Sequence, residues 1–194
     1  AFYSYDDIEK LEKFLSGKPI SEQELGLSLL EDVASYCETS MSRRKFILNY
    51  FGEKYDEING LGNKMDDNSK DPKDTNEVKN DVKLVLNSIK SINQKYKLKD
   101  MASFIFGIET STLKAHNSSS KPFFGKGRHN DIIFWKSLLR KMIVEGLLLK
   151  KVEEYGVLKL TEKGEDFIKN QKSFLLSVDR DCLLYTSDAA DERR

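Results

Sequence analysis

The second half of the chain carries apolar residues in helical and then in strand-like patterns. Helical spacing predicts three helices: one capped by Thr75 or Asn76, a short one at about 98–107, and one at about 130–145 that ends at Gly146. Two short strand patterns follow at 147–153 and 157–160, and a last helix is predicted at about 161–170. Three helices followed by a two-stranded hairpin is the order of a winged helix. This order fits winged helices that bind DNA and also those that bind proteins.

The first residues form a short aromatic run and then a helical pattern. Ala1–Tyr5 alternates like a strand, although alone it is too short to be stable. Apolar residues between Ile8 and Leu15 predict a helix, with Asp6 or Asp7 as its N-cap.

Two further helices and a polar loop complete the first half. Ser21 and Glu24 have the spacing of a capping box, which predicts a helix start. The apolar residues of that helix share one face, and they are Leu25, Leu29, Val33 and Tyr36. Another helix is predicted at 43–51, antiparallel to the one before it. Asn, Asp, Gly and Lys dominate 53–76, so we expect a loop there and a domain boundary near its end.

The charges divide between the two halves. Residues 1–75 have 10 Lys and Arg against 16 Asp and Glu, a net charge of −6, whereas residues 76–172 have 19 against 11, a net charge of +8. Residues 173–194 have 3 against 5, a net charge of −2. A basic domain beside an acidic one is the asymmetry expected when one part meets a polyanion, although solvated lysine-rich helices show it too.

The composition favours a cytoplasmic protein without a membrane partner. The 194 residues include no apolar run near the length that spans a bilayer, and the N-terminus lacks the pattern of a signal peptide. Cys37 and Cys182 cannot build a disulfide framework, and we interpret Cys37 as a small buried hydrophobe. The start without Met suggests a fragment.

Several motifs in a fixed order resemble one family. Arg43-Arg44 precede an apolar run that ends in Asn49-Tyr50-Phe51-Gly52-Glu53. Further marks are Phe124-Gly125-Lys126-Gly127, Trp135 with Leu138-Leu139-Arg140, Gly146-Leu147-Leu148 and Leu158-Lys159-Leu160-Thr161. At this spacing the chain resembles the C-terminal half of RecQ-type DNA helicases.

The resemblance divides the chain into four parts. Residues 1–5 resemble the last strand of the second lobe of the helicase motor, and residues 6–74 resemble the zinc-binding helical hairpin of the family. Residues 75–172 resemble its RQC winged helix. Residues 173–194 break the family pattern, resemble translated sequencing-adapter text and are expected to be disordered. The expected fold is therefore mainly α: a helical hairpin, then a winged helix with a short β-hairpin wing.

The family's zinc ligands are replaced in this chain. By spacing, the four ligand positions fall on Ser42, Gly62, Met65 and Asn68. None supplies a thiolate or an imidazole, so we predict that zinc is lost. As a substitute we expect Arg43 or Arg44 to pair with Glu53, Asp66 or Asp67, and Met65 to pack on the hairpin. A loose solvated loop is the alternative.

The resemblance and the basic charge together suggest DNA-binding residues. On the third helix of the winged helix, Trp135 is expected in the core, with Lys136, Arg140 and Lys141 directed toward DNA. The irregular stretch before it contributes Ser111, Lys114, Lys126 and Arg128. Gly125 and Gly127 would let the backbone approach a phosphate, whose charge the flanking amides and cations would hold. His116 and His129 lack partners at metal spacing and are interpreted as surface residues.

The hairpin is expected to be the wing of this domain. In RecQ relatives the wing can act as a wedge whose aromatic residue stacks on the terminal base pair, and Tyr155 is the aromatic residue at this tip. Simple packing or exposure of Tyr155 is the alternative. Lys150, Lys151 and Lys159 flank the tip and would contact backbone phosphates.

The resemblance implies the DNA-binding region of an ATP-dependent 3′–5′ DNA helicase in repair, recombination and replication. ATP and Mg²⁺ would serve the motor of the parent protein, whereas this part would need no cofactor and would bind duplex, forked or 3′-overhang DNA without unwinding it. We expect a cytoplasmic, nucleoid-associated protein. The alternative is a stand-alone winged helix that binds proteins or regulates transcription.

Overall fold

A computed structural model of the chain describes residues 5–56, 59–62, 64–93 and 95–177. The helical hairpin region contains four helices: α1 (Tyr5–Leu15), α2 (Ile20–Glu38), α3 (Arg43–Tyr50) and the one-turn α4 (Asp67–Lys70). Residues 1–4, most of the predicted first strand, lie outside the described residues, and Tyr5 begins α1 rather than ending a strand. Asp6 and Asp7 lie inside α1, so the N-cap predicted there is wrong.

The predicted capping box is also wrong. Pro19 is the N-cap of α2, and its carbonyl accepts hydrogen bonds from the backbone N–H groups of Glu22 and Gln23 at 2.9 and 3.0 Å. The helix therefore starts at Ile20, and Ser21 is already part of it. As the N-cap, Pro19 has φ −52° and ψ 144°, an extended conformation that proline adopts readily.

The apolar face of α2 is not its buried face. Of the predicted apolar face, Leu25, Leu29 and Val33 are 42%, 43% and 51% exposed, and only Tyr36 is half-buried, beside Phe46. Ser28 and Ser35 are buried instead. The serine face lies against the winged helix, where its oxygen atoms accept hydrogen bonds from Arg140 and Lys150.

The second half is a winged helix, as predicted. Its helices are α5 (Lys79–Ser91), α6 (Leu98–Phe106), α7 (Ser111–Ala115), α8 (Ile132–Val144) and α9 (Glu162–Lys169). The wing pairs β2 (Leu148–Lys151) with β3 (Val157–Leu160) in antiparallel register, from Leu148 opposite Leu160 to Lys151 opposite Val157. The described residues thus form a mainly α fold.

The core of the winged helix gathers the apolar faces of α5, α6 and α8. Its largest fully buried side chains include Trp135 and Phe104, both 0% exposed, which confirms Trp135 as a core residue. Gly146 ends α8 with φ +72°, and the Leu147 N–H donates to the Met142 carbonyl at 2.9 Å. This left-handed helix end turns the chain directly into β2.

A second small sheet closes the domain. β1 (Asn76–Glu77) pairs antiparallel with β4 (Leu175–Leu176), so Asn76 is a strand residue, and Val78 is the N-cap of α5. Phe174 and Leu176 are only 8% and 2% exposed. The expected disorder from residue 173 onward is therefore wrong for 173–177, because these apolar side chains complete the core. Residues 178–194 lie outside the described residues.

Polar contacts join the hairpin region to the winged helix. Lys45 Nζ of α3 lies 2.7 Å from Glu145 Oε1 after α8, and Asn49 Nδ2 donates to the Val144 carbonyl at 3.3 Å. Across the described part of the chain, every helix is too short or too polar to cross a bilayer.

Candidate nucleic-acid interface

The segment from α7 to the first turns of α8 presents exposed cations. Residues 111–136 contain five lysines and arginines and one carboxylate, that of Asp131. The cations are Lys114, Lys121, Lys126, Arg128 and Lys136; the first four are exposed and Lys136 is half-buried. Among the described residues, none of the five has a side-chain hydrogen bond or ion pair. We call this set, with the exposed Ser111, the cationic surface.

The loop that carries two of these cations is held by the core. The Gly125 and Gly127 N–H groups donate to the carbonyls of Phe104 and Ile105 at 3.0 and 2.8 Å, and Trp135 Nε1 donates to the Gly127 carbonyl at 2.8 Å. A Cβ atom on Gly127 would lie 2.5 Å from the Trp135 ring. The amides of Gly125 and Gly127 are therefore used internally, and the flanking Lys126 amide donates to the Phe123 carbonyl at 3.1 Å, so a phosphate here would rely on the flanking cations.

Lys126 and Arg128 flank this anchored glycine. Because their backbone is fixed to α6 and Trp135, both side chains start from a rigid platform. Lys121 lies in the same loop and was missed by the sequence analysis, although its position in a Lys- and Gly-rich stretch was a usable signal.

Arg140 was predicted to face DNA but lies between the two halves of the protein. Arg140 is 6% exposed. Its Nε donates to Ser35 Oγ at 2.9 Å, and its Nη2 donates to Glu38 Oε2 at 2.8 Å. A guanidinium buried in this way has no access to a phosphate while the two halves are in contact.

Three predicted lysines pair with carboxylates. Lys150 contacts Asp32 of α2, Lys141 lies 3.3 Å from Glu145, and Lys159 lies 2.8 Å from Glu154. The last two pairs are local and partly exposed, so replacing the carboxylate with a phosphate as the partner of Lys141 or Lys159 would cost little free energy. Lys150 instead has a side chain only 14% exposed and lies against α2. Lys151 is half-buried.

The tip of the wing lies against α2. Tyr155 has φ +54° and is 38% exposed, and Lys97 Nζ lies 5.7 Å from its ring centroid. A Cβ atom on the neighbouring Gly156 would lie 3.0 Å from Ser28 Oγ. Tyr155 therefore packs beside Lys97 in this arrangement.

Side-chain hydrogen bonds occupy three of the four positions that correspond to zinc ligands, namely Ser42, Met65 and Asn68. Ser42 Oγ donates to Asp66 Oδ2 at 3.0 Å, and the buried Asn68 donates from Nδ2 to the carbonyls of Thr39 and Met41 at 2.7 and 2.8 Å. Met65 contacts the hairpin through its Sδ, which accepts a hydrogen bond from Arg44 Nη1 of α3 at 3.9 Å, but at 69% exposure it is not buried there.

These positions do not fit zinc. Gly62 has no side chain, and the Asn68 amide nitrogen is used as a donor, so the set lacks the thiolates and imidazoles that tetrahedral zinc requires. Within the described ranges, no three His, Cys, Asp or Glu residues cluster as a metal site.

An ion pair connects the segments that the metal would join. Arg43 donates from Nε and Nη2 to both carboxylate oxygens of Asp67, at 2.6 and 3.0 Å. The hydrogen bonds from Arg43 hold the pKa of Asp67 below its usual value. Of the pairings considered from sequence, that of Arg43 with Asp67 is formed, and its role as a substitute for the metal stays a prediction.

Comparison with known proteins agrees with the two-part fold. Residues 72–182 match the RQC domain and residues 5–63 match the RecQ zinc-binding region. The match to residue 182 extends past the boundary that the sequence suggested at 172.

Curated relatives match over most of this chain. The ATP-dependent DNA helicase RecQ of Pasteurella multocida is 25% identical over 194 residues, 99% of this chain and 30% of the relative. The protein of the same name from Haemophilus influenzae is 24% identical over 92% of this chain and 29% of the relative. A putative ATP-dependent RNA helicase of Acanthamoeba polyphaga mimivirus is 24% identical over 87% of this chain and 33% of the relative. The chain spans about a third of the length of these relatives. Because the RQC domain covers more than half of the chain and the RecQ zinc-binding region precedes it, the chain belongs to the RecQ helicase family.

Proposed function

We propose that this chain is the DNA-binding region of a RecQ-type ATP-dependent 3′–5′ DNA helicase that acts in DNA repair, recombination and replication. The observation that carries the proposal is the cationic surface of residues 111–136, whose five cations lack carboxylate partners in the described part of the chain. Duplex, forked or 3′-overhang DNA would lie on this surface.

The chemistry of the surface suits binding without sequence preference. Lysine and arginine contacts to phosphate supply affinity that falls with salt and carry no base information. A helicase must act on many sequences, so backbone contacts from Lys114, Lys126 and Arg128 fit the role.

The proposal moves the binding site away from the C-terminal half of α8. Arg140 and Lys150, which the sequence also suggested, hold the winged helix to α2. The N-terminal part of α8 with Lys136, the loop before it and α7 remain as the surface for DNA.

The motor of the parent protein would bind ATP and Mg²⁺ and move along DNA. The present residues would hold and position the duplex, without zinc, in a cytoplasmic protein that associates with the nucleoid. We expect the chain alone to bind DNA and not to unwind it.

Fluorescence anisotropy with a labelled duplex that carries a 3′ overhang tests this proposal. We expect salt-dependent binding that survives EDTA. The double variant Lys126→Ala/Arg128→Ala should bind more weakly on every sequence, and its log–log salt slope should fall by about 2, or about 1 for each lost contact.

The matched control is Lys169→Ala/Lys172→Ala, which removes two exposed lysines outside the cationic surface. Equal losses in both variants would show diffuse charge attraction instead of a site. Absence of DNA binding by the unmodified chain would favour a protein-binding winged helix, and loss of binding in EDTA would show that a metal is required.

A further inference from the structure

A cleft of about 550 Å³ lies between the helical hairpin region and the winged helix. Its volume is within the range of ligand sites in proteins. Phe46 and Tyr50 of α3 form part of one wall, and Ile143, Leu149 and Val152 of the winged helix form part of the other. The proposed DNA contacts do not use it.

One carboxylate inside the cleft has no partner. Glu31 lines it from α2, and among the described residues its side chain has no hydrogen bond or ion pair. The neighbouring cations are already paired, Lys150 with Asp32 and Arg140 with Glu38. Burial raises the pKa of Glu31, and the attraction of Lys150 and Arg140 offsets only part of this effect. A cation that entered the cleft would therefore find a carboxyl group that no ion pair among the described residues satisfies, and pairing with it would favour the charged form of Glu31.

The mouth of the cleft is apolar and exposed. Tyr50, Leu149 and Val152 are 51%, 48% and 50% exposed. Phe51, which is 71% exposed, packs perpendicular to Tyr50 with ring centroids 5.2 Å apart. Exposed apolar side chains grouped around a concave site are typical of surfaces that bind other molecules.

We propose that this cleft binds a segment of a partner protein in which an apolar side chain lies next to an arginine or lysine. The apolar side chain would pack between Tyr50 and Leu149, and the cation would pair with Glu31. Charge favours such a peptide over nucleic acid, because Lys150 and Arg140 of the lining are already paired with carboxylates, whereas Glu31 has no ion pair among the described residues. The site thus has the opposite charge preference from the cationic surface.

Nuclear magnetic resonance of the ¹⁵N-labelled full chain tests the proposal with a pair of capped peptides. The first is acetyl-Gly-Trp-Leu-Arg-Gly-amide, and the second has glutamine in place of arginine. We expect the arginine peptide to shift amide signals of residues that line the cleft and to bind about tenfold more tightly than its glutamine twin, as expected for a charge-assisted contact.

Two variants and one matched control separate the contribution of the carboxylate from that of the apolar side chains. Glu31→Gln should remove the preference for the arginine peptide, whereas Glu22→Gln, an exposed carboxylate on the same helix, should retain it. Leu149→Ser, at an exposed strand position, should weaken both peptides by the same factor.

Equal binding of the two peptides by the unmodified chain, or shifts confined to residues outside the cleft, would overturn the proposal. The cleft would be a nucleic-acid site instead if an unlabelled oligothymidylate of ten nucleotides shifted the cleft signals more strongly than the arginine peptide. Cleft signals that change on dilution of the chain alone would identify a second copy as the occupant. Since DNA binding is measured separately, this proposal and the proposed function can fail independently.

Discussion

Replacing Arg140 with alanine tests whether this residue stabilises the structure or binds DNA. Its guanidinium donates to Ser35 Oγ at 2.9 Å and to Glu38 Oε2 at 2.8 Å, and its side chain is only 7% exposed. Both partners lie in α2, more than 100 positions earlier in the sequence. The variant would remove a connection between the two halves of the protein.

The size of the effect follows from burial. Removing one partner of a buried ion pair costs about 3–5 kcal/mol. The Glu38 side chain is 23% exposed, so water would partly solvate the carboxylate that is left. We therefore expect the low end, about 3 kcal/mol. For a chain of this length that corresponds to a fall in Tm of about 6–12 °C.

Urea unfolding and anisotropy on the same preparations give the two readouts. Arg140→Ala should lose about this much unfolding free energy, but at a temperature where it is folded its affinity for DNA should stay within about twofold of the unmodified chain. Arg128→Ala, which changes an exposed residue, should bind DNA more weakly and keep its unfolding free energy within about 0.5 kcal/mol. The double variant Arg140→Ala/Glu38→Ala should lose less than the sum of its single variants, because no lone charge stays buried. Unchanged stability with weaker DNA binding in Arg140→Ala would refute this assignment.

Two substitutions and the addition of EDTA test the pair of Arg43 and Asp67, the predicted loss of zinc and the burial of Glu31. Arg43→Met should lower the unfolding free energy by about 1 kcal/mol, a modest loss because the Asp67 side chain is 53% exposed, and EDTA should not change the Tm of the unmodified chain. Because Arg43 lowers the pKa of Asp67, the pair stabilises the fold above the ordinary pKa of an aspartate, and this stabilisation is lost as pH falls through the lowered pKa. When Tm is measured at decreasing pH, Arg43→Met should therefore lose less stability than the unmodified chain. Burial raises the pKa of Glu31, so its charged form destabilises the fold as pH rises, and Glu31→Gln should raise Tm at pH 7 but not near pH 4. Circular dichroism melts across pH measure all three, and a Glu31→Gln variant that melts lower at pH 7 would contradict the last expectation.

The winged helix was predictable because its signals are local. Helical spacing places Val82, Val85, Leu86 and Ile89 on one face of α5, and all four are buried. Gly146 marks the end of α8, and its left-handed conformation is one that glycine adopts without strain. Each of these inferences needs only residues that are close in the sequence.

The face that α2 buries could not be predicted in the same way. Spacing shows that Leu25, Leu29 and Val33 share a face, but it does not show which face meets the winged helix. Ser28 and Ser35 are buried because Lys150 and Arg140 reach them from the other half of the protein. The β1–β4 pair was missed for a similar reason, since two-residue strands have no period and their pairing joins positions about 100 residues apart.

The charges of the winged helix therefore fall into two groups that composition cannot separate. Its net charge of +8 predicts a polyanion partner, yet Arg140 and Lys150 face carboxylates of the acidic hairpin region. A cation in a largely buried ion pair, as Arg140 and Lys150 are, adds little to DNA affinity, because binding phosphate would require the loss of its carboxylate partner. The cations of residues 111–136 have no such partner among the described residues, so their contacts with phosphate would be gained without breaking an ion pair. For this reason the location of carboxylate partners, rather than the number of lysines and arginines, identifies the surface on which DNA binding should be tested.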